Sequence, residues 1–317
     1  MRRSGVQFPK AAPKCGENLG ICADEPIFRI HIVRVLTTIV SMKSKSLQII
    51  ALSLIALLMS GCTQNTQTDD TSGLVELSDL SHIHSVATDG QDVYAASHHG
   101  LYVLQENKWK LRGDDFDIMG LSFDNGVFYA SGHPGPLQNL PDPVGVLTSQ
   151  DGGNTWSPLS LTGEVDFHLL EVVDENFIGV AASHNSVFSS TDGGNKWNTV
   201  STPNFTDLSV NPQNSTAVLL ADENGLMLSE DFGISFKSVL SLDGVTKVEW
   251  HQDGIFAATK NNLYRGADLQ GTFAKMEYKF DEISDIHAEG DLVVVMDAVG
   301  IHLSSDRGLT FDLIDRL

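Results

Sequence analysis

Ser149-Gln-Asp151-Gly-Gly153-Asn-Thr-Trp156 decides the fold, because the chain repeats it three times. The copies are Ser190-Thr-Asp192-Gly-Gly194-Asn-Lys-Trp197, Ser229-Glu-Asp231-Phe-Gly233-Ile-Ser-Phe236 and Ser304-Ser-Asp306-Arg-Gly308-Leu-Thr-Phe311. All four read Ser-x-Asp-x-Gly-x-x-aromatic, and their aspartates are 41, 39 and 75 residues apart, the last interval being close to two repeats. Asp-x-Gly is turn chemistry: the carboxylate accepts backbone N–H groups a few residues on, and glycine supplies the positive φ. The closing aromatic is placed to pack between neighbouring sheets. A period near 40 made of short strands and turns predicts an all-β protein, a β-propeller.

With the repeats as a ruler, six blades fall at about 82–112, 117–161, 166–202, 206–241, 245–280 and 283–317, with seven blades as the alternative count. Alternating, β-branched runs such as Val93-Tyr-Ala-Ala-Ser97 and Leu292-Val-Val-Val-Met296 supply the second strands. Leu74-Val-Glu-Leu77 is a candidate extra strand to lock the ring, although Phe311–Ile314 already serves as the outer strand of blade six.

The residues before the propeller have a different character. From Met42 a short basic start leads through an apolar run to Ser60-Gly61-Cys62, the pattern of a bacterial secretory signal over 42–61. It resembles a lipobox, with Met59 where leucine is usual, which implies that Cys62 is lipidated and anchors the protein to a membrane in the cell envelope. Residues 1–41 precede a complete signal and are expected to be a mis-assigned upstream extension, with translation starting at Met42. Residues 62–73 read as the lipidated cysteine and a polar tether, and 74–317 as the propeller.

No cysteine follows Cys62, so the domain has neither a disulfide nor a thiolate metal site. Residues 1–61 hold eight of the 20 basic and three of the 41 acidic side chains, leaving 12 and 38, a balance of −26. That charge argues against nucleic acid as a partner, since a polyanion requires a basic footprint.

Propeller turns alternate between two faces, and this sorts the histidines. The repeated Asp turns lie on one face. The opposite face collects the turns after each second strand and the segments leading into each first strand. It therefore receives His98, His99, His133 and His184, together with His82, His84, Asp115, Asp117, Glu164, Asp166, His168 and His287. Mixed imidazole and carboxylate suits Zn²⁺ or a similar divalent metal, and His98, His99, His133, His168 and His184 are the candidate ligands, with Asp117 or Asp166 adding a carboxylate. A hydrogen-bonding pocket for a polar ligand such as a carbohydrate is the alternative, with His82, His84, Asp115 and His287 as lining residues. The only long insertion, His133-Pro-Gly-Pro-Leu-Gln-Asn-Leu-Pro-Asp-Pro-Val-Gly145, rises on this face, and its four prolines favour order without regular structure.

The four turns resemble the Asp-box, or bacterial neuraminidase repeat. Together with His82-Ile-His84, Ser97-His-His-Gly100, Ile118-Met-Gly120, Tyr129-Ala-Ser-Gly-His133-Pro-Gly135 and Gly163-Glu-Val-Asp166-Phe-His168, they make residues 80–317 similar to a group of bacterial propeller lipoproteins labelled glycosylhydrolase or sialidase-like. The resemblance implies structural roles for Asp151, Trp156, Asp192, Trp197, Asp231, Phe236, Asp306 and Phe311. Sialidase chemistry, with its three arginines around a sugar carboxylate, finds little support in a propeller whose only arginines are Arg112, Arg265, Arg307 and Arg316. Another glycosidase would need two carboxylates roughly 5–10 Å apart, for which Asp117, Glu164 and Asp166 are the candidates. The functional readings are thus ligand or metal binding on the His/Asp face, glycoside hydrolysis there, or a protein-interaction scaffold.

Overall fold

The computed structural model describes residues 73–181 and 186–317, so the expectations for 1–72, including Cys62, lie outside the described residues, as does His184. Six antiparallel sheets form a ring, a six-bladed propeller rather than a seven-bladed one. The innermost strands are Ile83–Thr88, Asp117–Asp124, Phe167–Val173, Asp207–Val210, Val245–His251 and Asp285–Glu289, each followed outward by three more in chain order. Each blade is therefore built from one continuous stretch of chain. Leu74–Val75 pairs with Lys108–Arg112, the outer strand of blade one, so it widens that blade rather than locking it to blade six.

The repeated turns show why their residues recur. Ser304 Oγ donates to Asp306 Oδ1 at 2.7 Å while accepting the buried N–H of Gly308 at 2.8 Å. Asp306 then accepts the N–H and hydroxyl of Thr310 at 2.8 and 2.7 Å. The same serine-to-glycine and aspartate bonds form around Asp151, Asp192 and Asp231. The closing aromatics pack where the repeat predicts: Trp156 on Phe116, Trp197 on Phe167 and Phe177, Phe236 in the seam between blades three and four, and Phe311 on Tyr278 and Phe280.

The free edge of each innermost strand faces the axis, where its N–H groups have no ladder partner and must be satisfied another way. Side chains of the preceding blade do so at five of the six seams. Ser122 accepts from Val172, Glu171 from Val210, Asp207 from Val248, Glu249 from Ala288 and Asp285 from Val86. The last of these closes the ring between blades six and one. Outside it, fully buried Trp109 donates its indole N–H to Asp315 at 2.8 Å across the same seam.

Candidate functional site

The face opposite the Asp turns carries His82, His84, His98, His99, His133 and His168, and a local backbone feature aims two of them. His84 is skipped in the pairing of Ile83 with Ser97 and Ser85 with Ala96, so it is the extra residue of a β-bulge. His168 is skipped in the same way between Phe167 and Leu169. Bulges re-aim a side chain out of the alternating pattern, and both imidazoles turn toward the axial mouth. Met119 and Thr246 occupy the corresponding bulges of blades two and five, so the bulge belongs to the fold and the histidines exploit it.

Three donor atoms meet at this mouth. His98 Nδ1 lies 2.9 Å and His84 Nε2 3.6 Å from Asp117 Oδ1, and the two nitrogens are 3.4 Å apart. The imidazole planes stand at 87°, and His82, in a left-handed conformation at φ 47°, backs them with its ring 5.2 Å from that of His98. Asp117 Oδ1 is buried and receives no directed hydrogen bond despite these close nitrogens. Burial, reinforced by the neighbouring His98, pushes the His84 pKa down, which favours the neutral, ligating imidazole. Among the described residues this is the only group of three such side chains whose donor atoms all lie within 4.8 Å of one another.

A second constellation sits beside the first. His168 Nε2 is 2.9 Å and His133 Nε2 3.4 Å from Asp166 Oδ2, and His133 Nδ1 is 2.6 Å from Asp142 Oδ1 of the inserted loop. His133 is paired directly across the ladder from Asp117. That approach requires Gly132, at φ 150°, because a Cβ there would come within 2.0 Å of the Asp117 carbonyl oxygen. The hydrogen bond to Asp142 holds the His133 pKa up, against the effect of burial.

The remaining predicted residues are placed less centrally. His99 pairs with Asp115 at 3.3 Å, both well exposed and away from the triad. Glu164 is exposed in a turn, its backbone N–H bonded to Leu161. His287 does not reach the mouth: it lies inside the channel, where Nδ1 accepts the Thr88 N–H and burial pushes its pKa down to about 4. The reason is its position two residues into the strand, beyond the turn, with no bulge to re-aim it.

The axial channel itself went unread in the sequence. Below the mouth it is lined by Glu171, Asp207, Lys247, Glu249 and Asp285, then opens toward the Asp-turn face in a cavity of about 440 Å³. Lys247 lies 3.5 Å from Asp207 and 3.8 Å from Asp285. Burial pushes Glu171 up to about 8 and Asp285 up to about 6. Burial likewise raises Asp207 and Glu249. Their sequence signal is a charge inside an apolar strand, as in Leu169-Leu-Glu171-Val-Val173 and Lys247-Val-Glu249-Trp250.

No known family and no curated protein matches this chain. Solved structures similar to it include YCF48 bound to a D1 peptide, at TM-score 0.46 and 14% identity over 75% of this chain and 82% of that one. The GH74 xyloglucanase from Xanthomonas campestris gives 0.47 and 13% over 73% of this chain, which spans only 45% of that enzyme. A nidogen/laminin complex gives 0.49 and 10% over 67% and 88%. At these levels the likenesses carry no functional argument. Among the described residues no helix is long and apolar enough to cross a membrane.

Proposed function

We propose that this propeller binds a divalent cation of the zinc class at its mouth, through His84 Nε2, His98 Nδ1 and Asp117 Oδ1. The observation that carries the reading is Asp117 Oδ1, buried without a hydrogen-bond donor yet 2.9 and 3.6 Å from two imidazole nitrogens. A buried carboxylate oxygen with no donor is costly, and a cation held among the three atoms would relieve that cost. The size supports this. With separations of 2.9, 3.4 and 3.6 Å, the circle through the three donors has a radius of about 1.9 Å. An ion at bonds of about 2.0–2.1 Å would sit just off their plane, as at one face of a tetrahedron, leaving the fourth position for water or a polar ligand.

Glycoside hydrolysis by Asp117, Glu164 and Asp166 is the rival. The flanking of Asp117 and Asp166 by imidazoles suits a cation better than a free acid and base. The cation reading is tested on the full chain purified without chelator. After zinc loading and desalting, elemental analysis should find tightly held metal, and His98→Ala should remove one equivalent while circular dichroism stays unchanged. Unaltered metal content in His98→Ala would sink the assignment.

The sequence around Cys62 supports a setting for this chemistry: a lipid-anchored protein facing outside the cytoplasm. Labelled palmitate should enter the wild-type chain in a bacterial host and not Cys62→Ser. Equal incorporation in both would remove the anchor from the proposal.

A further inference from the structure

We propose that His133, Asp166 and His168 form a second, weaker divalent-cation site beside the first, with Asp142 of the inserted loop holding His133 in its ligating tautomer. The two sites share the mouth but no ligand, so either can fail without the other.

Asp166 Oδ2 is hydrogen-bonded to His168 Nε2 at 2.9 Å and lies 3.4 Å from His133 Nε2 without a hydrogen bond, so one oxygen already gathers both imidazoles. Its other oxygen, Oδ1, is buried with no hydrogen-bond partner. A carboxylate sunk to 13% exposure with one oxygen unserved still has coordination to offer.

His133 faces a carboxylate from each of its ring nitrogens. Its Nδ1, 2.6 Å from Asp142 Oδ1, is in position to donate a proton there, which leaves the neutral ring with a bare Nε2. That nitrogen faces Asp166 Oδ2 at 3.4 Å with no directed hydrogen bond between them. A ligating histidine whose far nitrogen donates to a carboxylate is the usual outer-shell arrangement around a metal, fixing tautomer and ring orientation. Here the outer carboxylate comes from the long insertion of blade two.

The site is less closed than the first. The three donors do not all fall within the 4.8 Å that His84, His98 and Asp117 satisfy, so a ring must turn to complete it. His168, 45% exposed, has the freedom to do so. Ordering that ring on binding costs entropy, which makes this site the weaker of the two.

Calorimetric titration of the full chain with zinc chloride alone, after chelator treatment and dialysis, separates the outcomes. The wild type should take up two equivalents in two affinity classes. His133→Ala and His168→Ala should each abolish the weaker class and leave the tighter one, whereas His98→Ala should do the reverse. Asp142→Asn, at a solvent-exposed position, should weaken the second class by roughly ten- to a hundredfold without changing the stoichiometry at saturation. A single equivalent in the wild type that survives His133→Ala, or a weak class that does so, would overturn the second site. Unchanged weak-class affinity in Asp142→Asn would overturn the role of the loop. Loss of a class to His133→Ala but not to His98→Ala would keep this inference and reject the first site.

Discussion

At the scale of single residues, the repeated serine is more constrained than the repeated aspartate beside it. Ser304 is 1% exposed and provides the acceptor for the buried N–H of Gly308. Ser304→Ala leaves that N–H buried and unpaired, at a cost of about 1–3 kcal/mol. Urea unfolding should show a lower midpoint with an unchanged slope, and an unchanged midpoint would mean that the turn relaxes to water. Asp306 acts differently. Accepting bonds from Thr310 and Ser304 holds its carboxyl down to about 2, so its contribution is complete above the ordinary carboxylate range and disappears only as pH falls through that value.

Among the structural elements, legibility divides between turns and bulges. The Asp turns could be read from sequence because each is local: every partner of Asp306 and Ser304 lies within six residues. Blade boundaries followed, since the turns mark them. The topology also sorted His98, His133 and His168 onto one face correctly. It could not say that His98 joins His84 and Asp117 while His133 joins Asp166, because that partition depends on two bulges. Ile83-His84-Ser85 and Phe167-His168-Leu169 carry no composition that distinguishes a bulge from a regular strand. The extra strand was legible but misassigned: Leu74–Val75 finds its partner in Lys110 and Trp109, a pairing that the sequence does not favour over one with blade six. His287 shows the same limit, as its face depended on where the strand began.

On the scale of the whole molecule, the ring is held by acceptors that are also titratable. Glu171, Glu249, Asp207 and Asp285 each cap an inner-edge N–H of the next blade, and burial raises the pKa of all four. For Glu171 the folded value of about 8 stands above the ordinary 4.5, so the native state binds the extra proton. Its contribution to stability is therefore full below about pH 4.5 and is lost as pH rises through about 8. Glu171→Gln keeps the acceptor for Val210 and removes the ionisation. The variant should match the wild type in melting temperature at pH 4.5 and exceed it increasingly toward pH 8.5. Parallel melting curves across that range would show that the lumen solvates the carboxylate fully.

Each blade is finished within its own stretch of chain, and the join between the last and the first is made by side chains like any other. The Leu77–Asp79 turn and the strand Asp312–Arg316 already touch there, around Trp109. Such a circle has no privileged break. A gene rewritten so that translation begins at blade three or blade five, with the old ends spliced by a short linker, would encode the same ring. The His/Asp mouth, drawn from blades one to three, would survive any cut made on the far side.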